Sequence, residues 1–298
     1  MTKAIITLLA LLAVCNAANP VVLIHGIGDS CENSGMQGVA SMFGYYLGVD
    51  AECIESGAGF DSFLFTTMKS QEEAACAALK ANPKFAGKDI DIVGLSQGSL
   101  IARGLIQNCD FGGSFKKFIS IAGPHMGVYT VPNCADGTFC DILNSVVRFA
   151  VYNGLAQNLV GAANYFKDSR SYKSYLASAR YLPDLNNERS TKNATHKQRF
   201  SSLEGVMLVM FTNDTVINPK ETAWFGYYDE NLNLKDMTET PLYQEDYIGL
   251  KTLDVTGRLK RIKLPGQHLQ FSNADILEVF VPFLATGRMT EESEVLNH

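Results

Sequence analysis

The chain has 298 residues, with 25 basic and 31 acidic side chains for a formal net charge of −6, and 46% of its residues are hydrophobic. That apolar fraction is enough to offset the ordering entropy that leaves polar, highly charged chains disordered, and the length fits one large domain or two modest ones. The acidic balance, without a basic stripe, removes the attraction on which most nucleic-acid binding depends, so nucleic acid is not an expected partner.

In chain order, the first element is a targeting segment. Met1, Thr2 and Lys3 precede an apolar run over 4–14, and Cys15-Asn16-Ala17-Ala18 follows. This reads as a secretory signal peptide over 1–17, cut after Ala17, with a run too short to span a bilayer. A lipoprotein reading of Leu12-Ala13-Val14-Cys15 is weaker, because Val14 is bulky where such a site wants a small residue. The mature chain, 18–298, is expected to enter the secretory pathway without a transmembrane anchor. There its remaining cysteines, Cys31, Cys53, Cys76, Cys109, Cys134 and Cys140, are even in number and expected to form disulfides, with the pairing left open. No CxxC pair occurs and no histidine sits at ligand spacing beside a cysteine, so neither metal nor cofactor is expected. Asn193-Ala194-Thr195 and Asn213-Asp214-Thr215 are acceptor sequons for N-glycosylation.

The mature chain alternates short β-rich apolar runs with helical patterns, which predicts a mostly parallel central sheet flanked by helices on both faces. Strands are predicted at 20–24, 49–55, 90–95, 118–122 and 206–211. Helices are predicted from the capping-box pattern Ser70-Gln71-Glu72-Glu73 through Lys80, from Ser96 through Leu105, and over 274–284, with Pro282 ending or bending the last. Between about 131 and 205 the alternation breaks down, as for a helical insertion within a single domain. Its stretch 146–166 is apolar nearly all round if helical, so it either packs on the main core or lines a site for a long apolar ligand.

The strongest chemical signal is Gly94-Leu95-Ser96-Gln97-Gly98. Glycines two residues either side of a serine let a strand turn sharply into a helix, presenting the hydroxyl for attack. The motif alone is weak evidence; its position between a predicted strand and a predicted helix is the context it requires. A nucleophilic serine needs a base and an orienting acid, which in the α/β-hydrolase arrangement follow in the order Ser, Asp or Glu, His. Of the five histidines, His25 and His125 lie near strand ends, His196 in the polar insert, and His298 at the terminus. His268 lies in a loop, Pro265-Gly266-Gln267-His268, past the last predicted strand, and is the expected base. Asp214, just past the apolar run 206–211, is the expected acid; Asp229, Asp236, Asp246 and Asp254 are rivals without so clear a preceding strand. The oxyanion donors are expected to be the backbone N–H groups of Gln97 and of Ile27, in the loop His25-Gly26-Ile27-Gly28-Asp29-Ser30 after the first strand.

These residues resemble the palmitoyl-protein thioesterases, lysosomal enzymes that remove long acyl chains from cysteines. His25 to Cys31 resembles the family's oxyanion loop and Gly94 to Gly98 its elbow. The most specific match is Phe211-Thr212-Asn213-Asp214-Thr215-Val216-Ile217-Asn218-Pro219 followed by Trp224-Phe225-Gly226-Tyr227-Tyr228. The resemblance implies Ser96, Asp214 and His268 as triad, a glycan at Asn213, and bridges Cys76 to Cys109 and Cys134 to Cys140. It implies S-acylated proteins or peptides, or acyl-CoA, as substrates, their long acyl chain bound by the insertion, and lysosomal rather than extracellular residence. Three positions depart from the family: Cys31-Glu32 replaces adjacent cysteines, leaving Cys31 paired with Cys53 or free; Ser99 follows the elbow; and Gln267 stands where an acidic residue commonly precedes the histidine. Two other functions fit the same residues: a secreted lipase or carboxylesterase acting on oxyesters, and a noncatalytic lipid-binding glycoprotein.

Overall fold

The computed structural model describes residues 18–57, 66–129 and 151–285; the expected signal peptide, Cys134 and Cys140 lie outside the described residues. The apolar runs become strands β1 (Val21–Ile24), β2 (Ala51–Cys53), β3 (Asp89–Leu95), β4 (Ser114–Ile121) and β5 (Gly205–Phe211). After the antiparallel pair β6 (Tyr227–Tyr228) and β7 (Leu234–Lys235) comes β8 (Leu259–Leu264). The main sheet runs β2-β1-β3-β4-β5-β8 with every neighbouring pair parallel, the α/β arrangement that the alternation predicts. Because the chain steps from β1 outward to β2 and then back across β1 to β3, the loops leaving the C-terminal ends of β1 and β3 diverge. A crevice opens at such a switch point.

Side-chain alternation divides the core into two layers. Val21, Leu23, Val93, Leu95, Ile119, Ile121, Met207, Val209 and Phe211 face α1 (Ser34–Leu47) and the C-terminal helical segment. Val22, Ile24, Ile90, Ile92, Phe118, Val206 and Leu208 face the opposite layer, which includes α2 (Met68–Ala81) and α3 (Gln97–Asn108). Strands buried on both faces need near-continuous apolar sequence, which is why they are legible.

Several boundaries differ from expectation for local reasons. The expected strand 49–55 shortens to β2, an edge strand paired only with β1, as the Val49 N–H turns back to the Gly44 carbonyl. The helix expected from Ser70 starts at Met68 instead: extended Thr67 is the cap, its hydroxyl accepting the Ser70 N–H, so the Ser70–Glu73 pattern lies inside the first turn. Pro282 does not end the C-terminal helical segment, which runs through it to Ala285. The turn Ile276–Phe280 widens to π form, with the Val281 N–H bonded to the Ile276 carbonyl, just before a residue that has no N–H to give.

The stretch 146–166 is described only from residue 151, and there it is not one apolar helix. Asn153 caps a new helix, α4 (Gly154–Leu159), by accepting the Leu155 N–H, and a 3₁₀ segment Gly161–Tyr165 follows. Val151, Ala156, Tyr165 and Phe166 are buried against the core, whereas Leu155 is 69% and Leu159 43% exposed. Asn164 stitches this segment to α2 by accepting the Met68 N–H at 3.0 Å. Among the described residues there are two disulfides: Cys76–Cys109 joins α2 to the end of α3, and Cys31–Cys53 joins the loop after β1 to the end of β2.

At the N-terminal end of β3, away from the crevice, Asp91 is wholly buried and accepts the Lys117 N–H at 2.9 Å. Burial pushes its carboxyl up from 3.8 to about 7, with the Lys117 charge opposing. A carboxyl raised on folding gives stability that is full below its ordinary value and is lost as pH rises through the folded value. Between pH 3.8 and about 7 the wild-type melting temperature should therefore fall relative to that of Asp91→Asn. Parallel pH profiles of the two proteins would contradict this.

Candidate active site

β3 ends at Leu95 and α3 begins at Gln97, so the whole turn from strand to helix falls on Ser96. Its φ of 52° and ψ of −124° lie where a side chain is strained, at a cost of about 1–3 kcal/mol. The turn is held by the Ser96 N–H donating to the Ile121 carbonyl at 2.8 Å and by the Ser99 N–H donating to the Ser96 carbonyl at 2.9 Å. Both flanking glycines are obligatory. A Cβ on Gly94 would stand 2.5 Å from the Ser99 Cα, and one on Gly98 would collide with the carbonyl oxygens of Ile24 and His25. Ser99 fits this crowded place because its hydroxyl donates to the Gly94 carbonyl at 2.8 Å.

β5 and β8 run side by side, and the loops beyond them deliver the other two groups. The Asn213 N–H donates to the Gly266 carbonyl at 3.0 Å, with Gly266 at φ 105°, tying one loop to the other. His268 Nε2 lies 2.9 Å from Ser96 Oγ, and its Nδ1 lies 2.7 Å from Asp214 Oδ2. The second Asp214 oxygen accepts the N–H groups of Val216 and Ile217, each at 3.0 Å, which fixes the carboxylate plane. A base bonded to a hydroxyl on one side and to a buried carboxylate on the other is the arrangement that activates a serine. Gln267 is exposed, its N–H bonded to the Gln270 side chain rather than into the site.

The rival acids are engaged elsewhere. Asp229 accepts the N–H groups of Asn231 and Asn233; Asp236 caps the turn at Thr238 and pairs with Arg261; Asp246 takes the Lys251 N–H and the Thr252 hydroxyl; Asp254 accepts the Tyr243 hydroxyl. The other described histidines are likewise committed. His125 is wholly buried, stacked on Phe225 at 4.4 Å and bonded to the Ser120 hydroxyl. Burial, helped by the Arg103 charge, holds it well below the ordinary imidazole range. His196 donates to Asn108 Oδ1 at 2.7 Å. His298 lies outside the described residues.

The loop after β1 runs against Ser96: a Cβ on Gly26 would lie 3.2 Å from the Ser96 Cβ. Ile27 follows directly. Gln97 opens α3, where a first-turn amide has no intrahelical acceptor, and its side chain is drawn aside to Gln71 by a 3.0 Å hydrogen bond. One contact beside Ser96 is not visible in the sequence. Glu55, 30 residues away, is hydrogen-bonded to the His25 ring and accepts the Cys31 N–H, bracing this loop. His25, Cys31 and Glu55 lie close enough to suit a metal, but the Cys31 sulfur is spent in a disulfide and offers no thiolate. Asn193 and Asn213 are both exposed, and Asn193 also caps the helix α5 (Ala194–Ser201).

Comparison with known proteins places this geometry in a family. Residues 20–268 match the family model described as palmitoyl protein thioesterase. The chain is 32% identical to the Caenorhabditis elegans protein named palmitoyl-protein thioesterase 1, over 84% of this chain and 86% of that one. It is 34% identical to the Dictyostelium discoideum protein named palmitoyl-protein thioesterase 3, over 86% and 88%. A mouse protein named lysosomal thioesterase PPT2 is 27% identical over 83% and 80%. A strand-to-helix serine turn, a histidine bonded to it and a match running from Pro20 to His268 together establish that the chain belongs to the palmitoyl protein thioesterase family.

Proposed function

We propose that this protein hydrolyses long-chain acyl thioesters, above all palmitoyl groups on the cysteines of proteins or peptides, through an acyl-enzyme on Ser96. The observation that carries the reading is the continuous hydrogen-bonded line Ser96 Oγ, His268, Asp214 in a chain of this family. His268 Nε2 takes the Ser96 proton as Oγ attacks the thioester carbonyl carbon. The carbonyl π pair moves onto oxygen, which the N–H groups of Ile27 and Gln97 receive. Collapse of the tetrahedral intermediate breaks the C–S bond, and the thiol leaves with the proton that His268 returns. Water then attacks the acyl-enzyme, giving its proton to His268, and Ser96 is released together with the free fatty acid. Asp214 holds His268 in the correct tautomer and offsets the imidazolium charge that forms twice in the cycle.

A thiol ionises near about 8.5, so it leaves more readily than an alkoxide and asks less of the general acid. Each methylene of a buried acyl chain contributes about 0.8 kcal/mol, enough for a long chain to dominate substrate affinity. The inserted region at about 131–205 is the proposed acyl-binding part; the exposed Leu155 and Leu159 on α4 support this. A cleavable signal over 1–17, glycans on the exposed Asn193 and Asn213, a Cys134–Cys140 bridge and delivery to the lysosome belong to the same proposal. The name of the mouse relative supports the last of these.

Purified mature protein should cleave a palmitoyl thioester in strong preference to its matched oxyester, and Ser96→Ala should abolish turnover. Equal or better oxyester cleavage would favour a lipase instead. Asp214→Asn should lower kcat by about 10³–10⁴-fold while leaving the fold intact, because the amide supports the wrong histidine tautomer. A loss below tenfold would remove Asp214 from the mechanism.

A further inference from the structure

We infer that His25 is a positioning residue, pinned by Glu55, that holds the loop presenting the Ile27 amide; the role of that amide rests on the acyl-transfer reading above. Both ring nitrogens of His25 are engaged. Nδ1 lies 2.8 Å from the Gly26 carbonyl oxygen and Nε2 lies 2.5 Å from Glu55 Oε1. A carbonyl oxygen can only accept, so Nδ1 carries the N–H that goes to Gly26, and Nε2 is left to bond the Glu55 carboxyl group. The ring is thereby fixed from both sides, by backbone at one nitrogen and by Glu55 at the other.

The same carboxylate closes the loop. Glu55 Oε2 accepts the Cys31 N–H at 3.0 Å, so one side chain gathers residues 25 and 31, and the Cys31–Cys53 disulfide ties the loop to the strand end from which Glu55 projects. Asp29, the other acid in the loop, is turned to the Ser30 N–H at 2.8 Å. The Cys31 sulfur beside the ring carries no charge because it is bridged. The His25 side chain is 10% exposed and the Glu55 side chain 36%, so the ring is shielded while its carboxyl partner still meets water. Ile27 lies two residues beyond His25, and Gly26 between them is packed on Ser96, so the ring sets the path of the amide toward the nucleophile.

Two readouts test this. The kcat of Glu55→Gln on a palmitoyl thioester should fall about 10- to 100-fold with KM little changed, and Glu55→Asp, which keeps a carboxyl group, should recover part of the loss. Hydrogen exchange of the amides over 25–31 should quicken in Glu55→Gln relative to wild type. Wild-type kcat in that variant, or loop exchange unmoved by it, overturns the inference. So does a loss of kcat that Glu55→Asp shares in full. Should Glu55→Gln fail to fold, the comparison is made between wild type and Glu55→Asp, and identical loop exchange and kcat in the two counts against it. If wild type itself turns over no thioester, the functional reading fails, while the loop exchange still decides whether Glu55 holds the loop.

Discussion

The site depends on one close approach: α3 packed so tightly on the ends of β1 and β3 that the chain between strand and helix is a single residue. Gly94 and Gly98 permit that approach, since a Cβ at either position would strike backbone. Ser96 bears the resulting strain. Nearly all of α3 is buried, including Arg103, so the helix that carries the serine cannot relax toward solvent. Burial draws the Arg103 guanidinium down to about 10, and its charge is met by the His125 carbonyl at 3.3 Å and by the face of Phe225 at 5.2 Å. Only Nη2 is hydrogen-bonded; Nε and Nη1 are buried without a hydrogen-bond partner among the described residues, so the ring face carries much of what offsets this charge.

The layer behind α3 shows the same economy of space. A Cβ on Gly104 would collide with the carboxylate of Glu72 and the hydroxyl of Tyr181, which are bonded to each other at 2.7 Å. Burial raises the Glu72 carboxyl, while Tyr181, Lys69 and Asn108 pull it back. The Cys76–Cys109 bridge closes the α2–α3 contact at its far end. Three different kinds of contact therefore fix the helix that begins after Ser96: close backbone packing, buried hydrogen bonds and a covalent link.

What could be read from the sequence follows from how local each cause is. The serine turn was legible because its demand for glycine is met within five residues, and the buried strands because both faces need apolar side chains. By pattern alone Asp214 stands out from its rivals in following such a strand, and the resemblance of Phe211 to Pro219 points to it a second time. The structure accounts for the choice differently: Asp229, Asp236, Asp246 and Asp254 each have partners of their own. The Thr67 start of α2, the break at Asn153 and the shortened β2 were not legible, because neighbouring elements and competing caps decide them. Glu55 was not legible at all. Nothing in its own segment marks a carboxylate that reaches across to His25 and Cys31.

The central claim is that Ser96, poised by His268 and Asp214, carries the acyl group. The most direct measurement is rapid acid quench of the protein with a palmitoyl thioester, followed by mass mapping of its peptides. One palmitoyl group is expected on the peptide containing Ser96, formed at least as fast as steady-state turnover and absent from Ser96→Ala. Acylation of another residue, or turnover without any acylated peptide on that timescale, would contradict it.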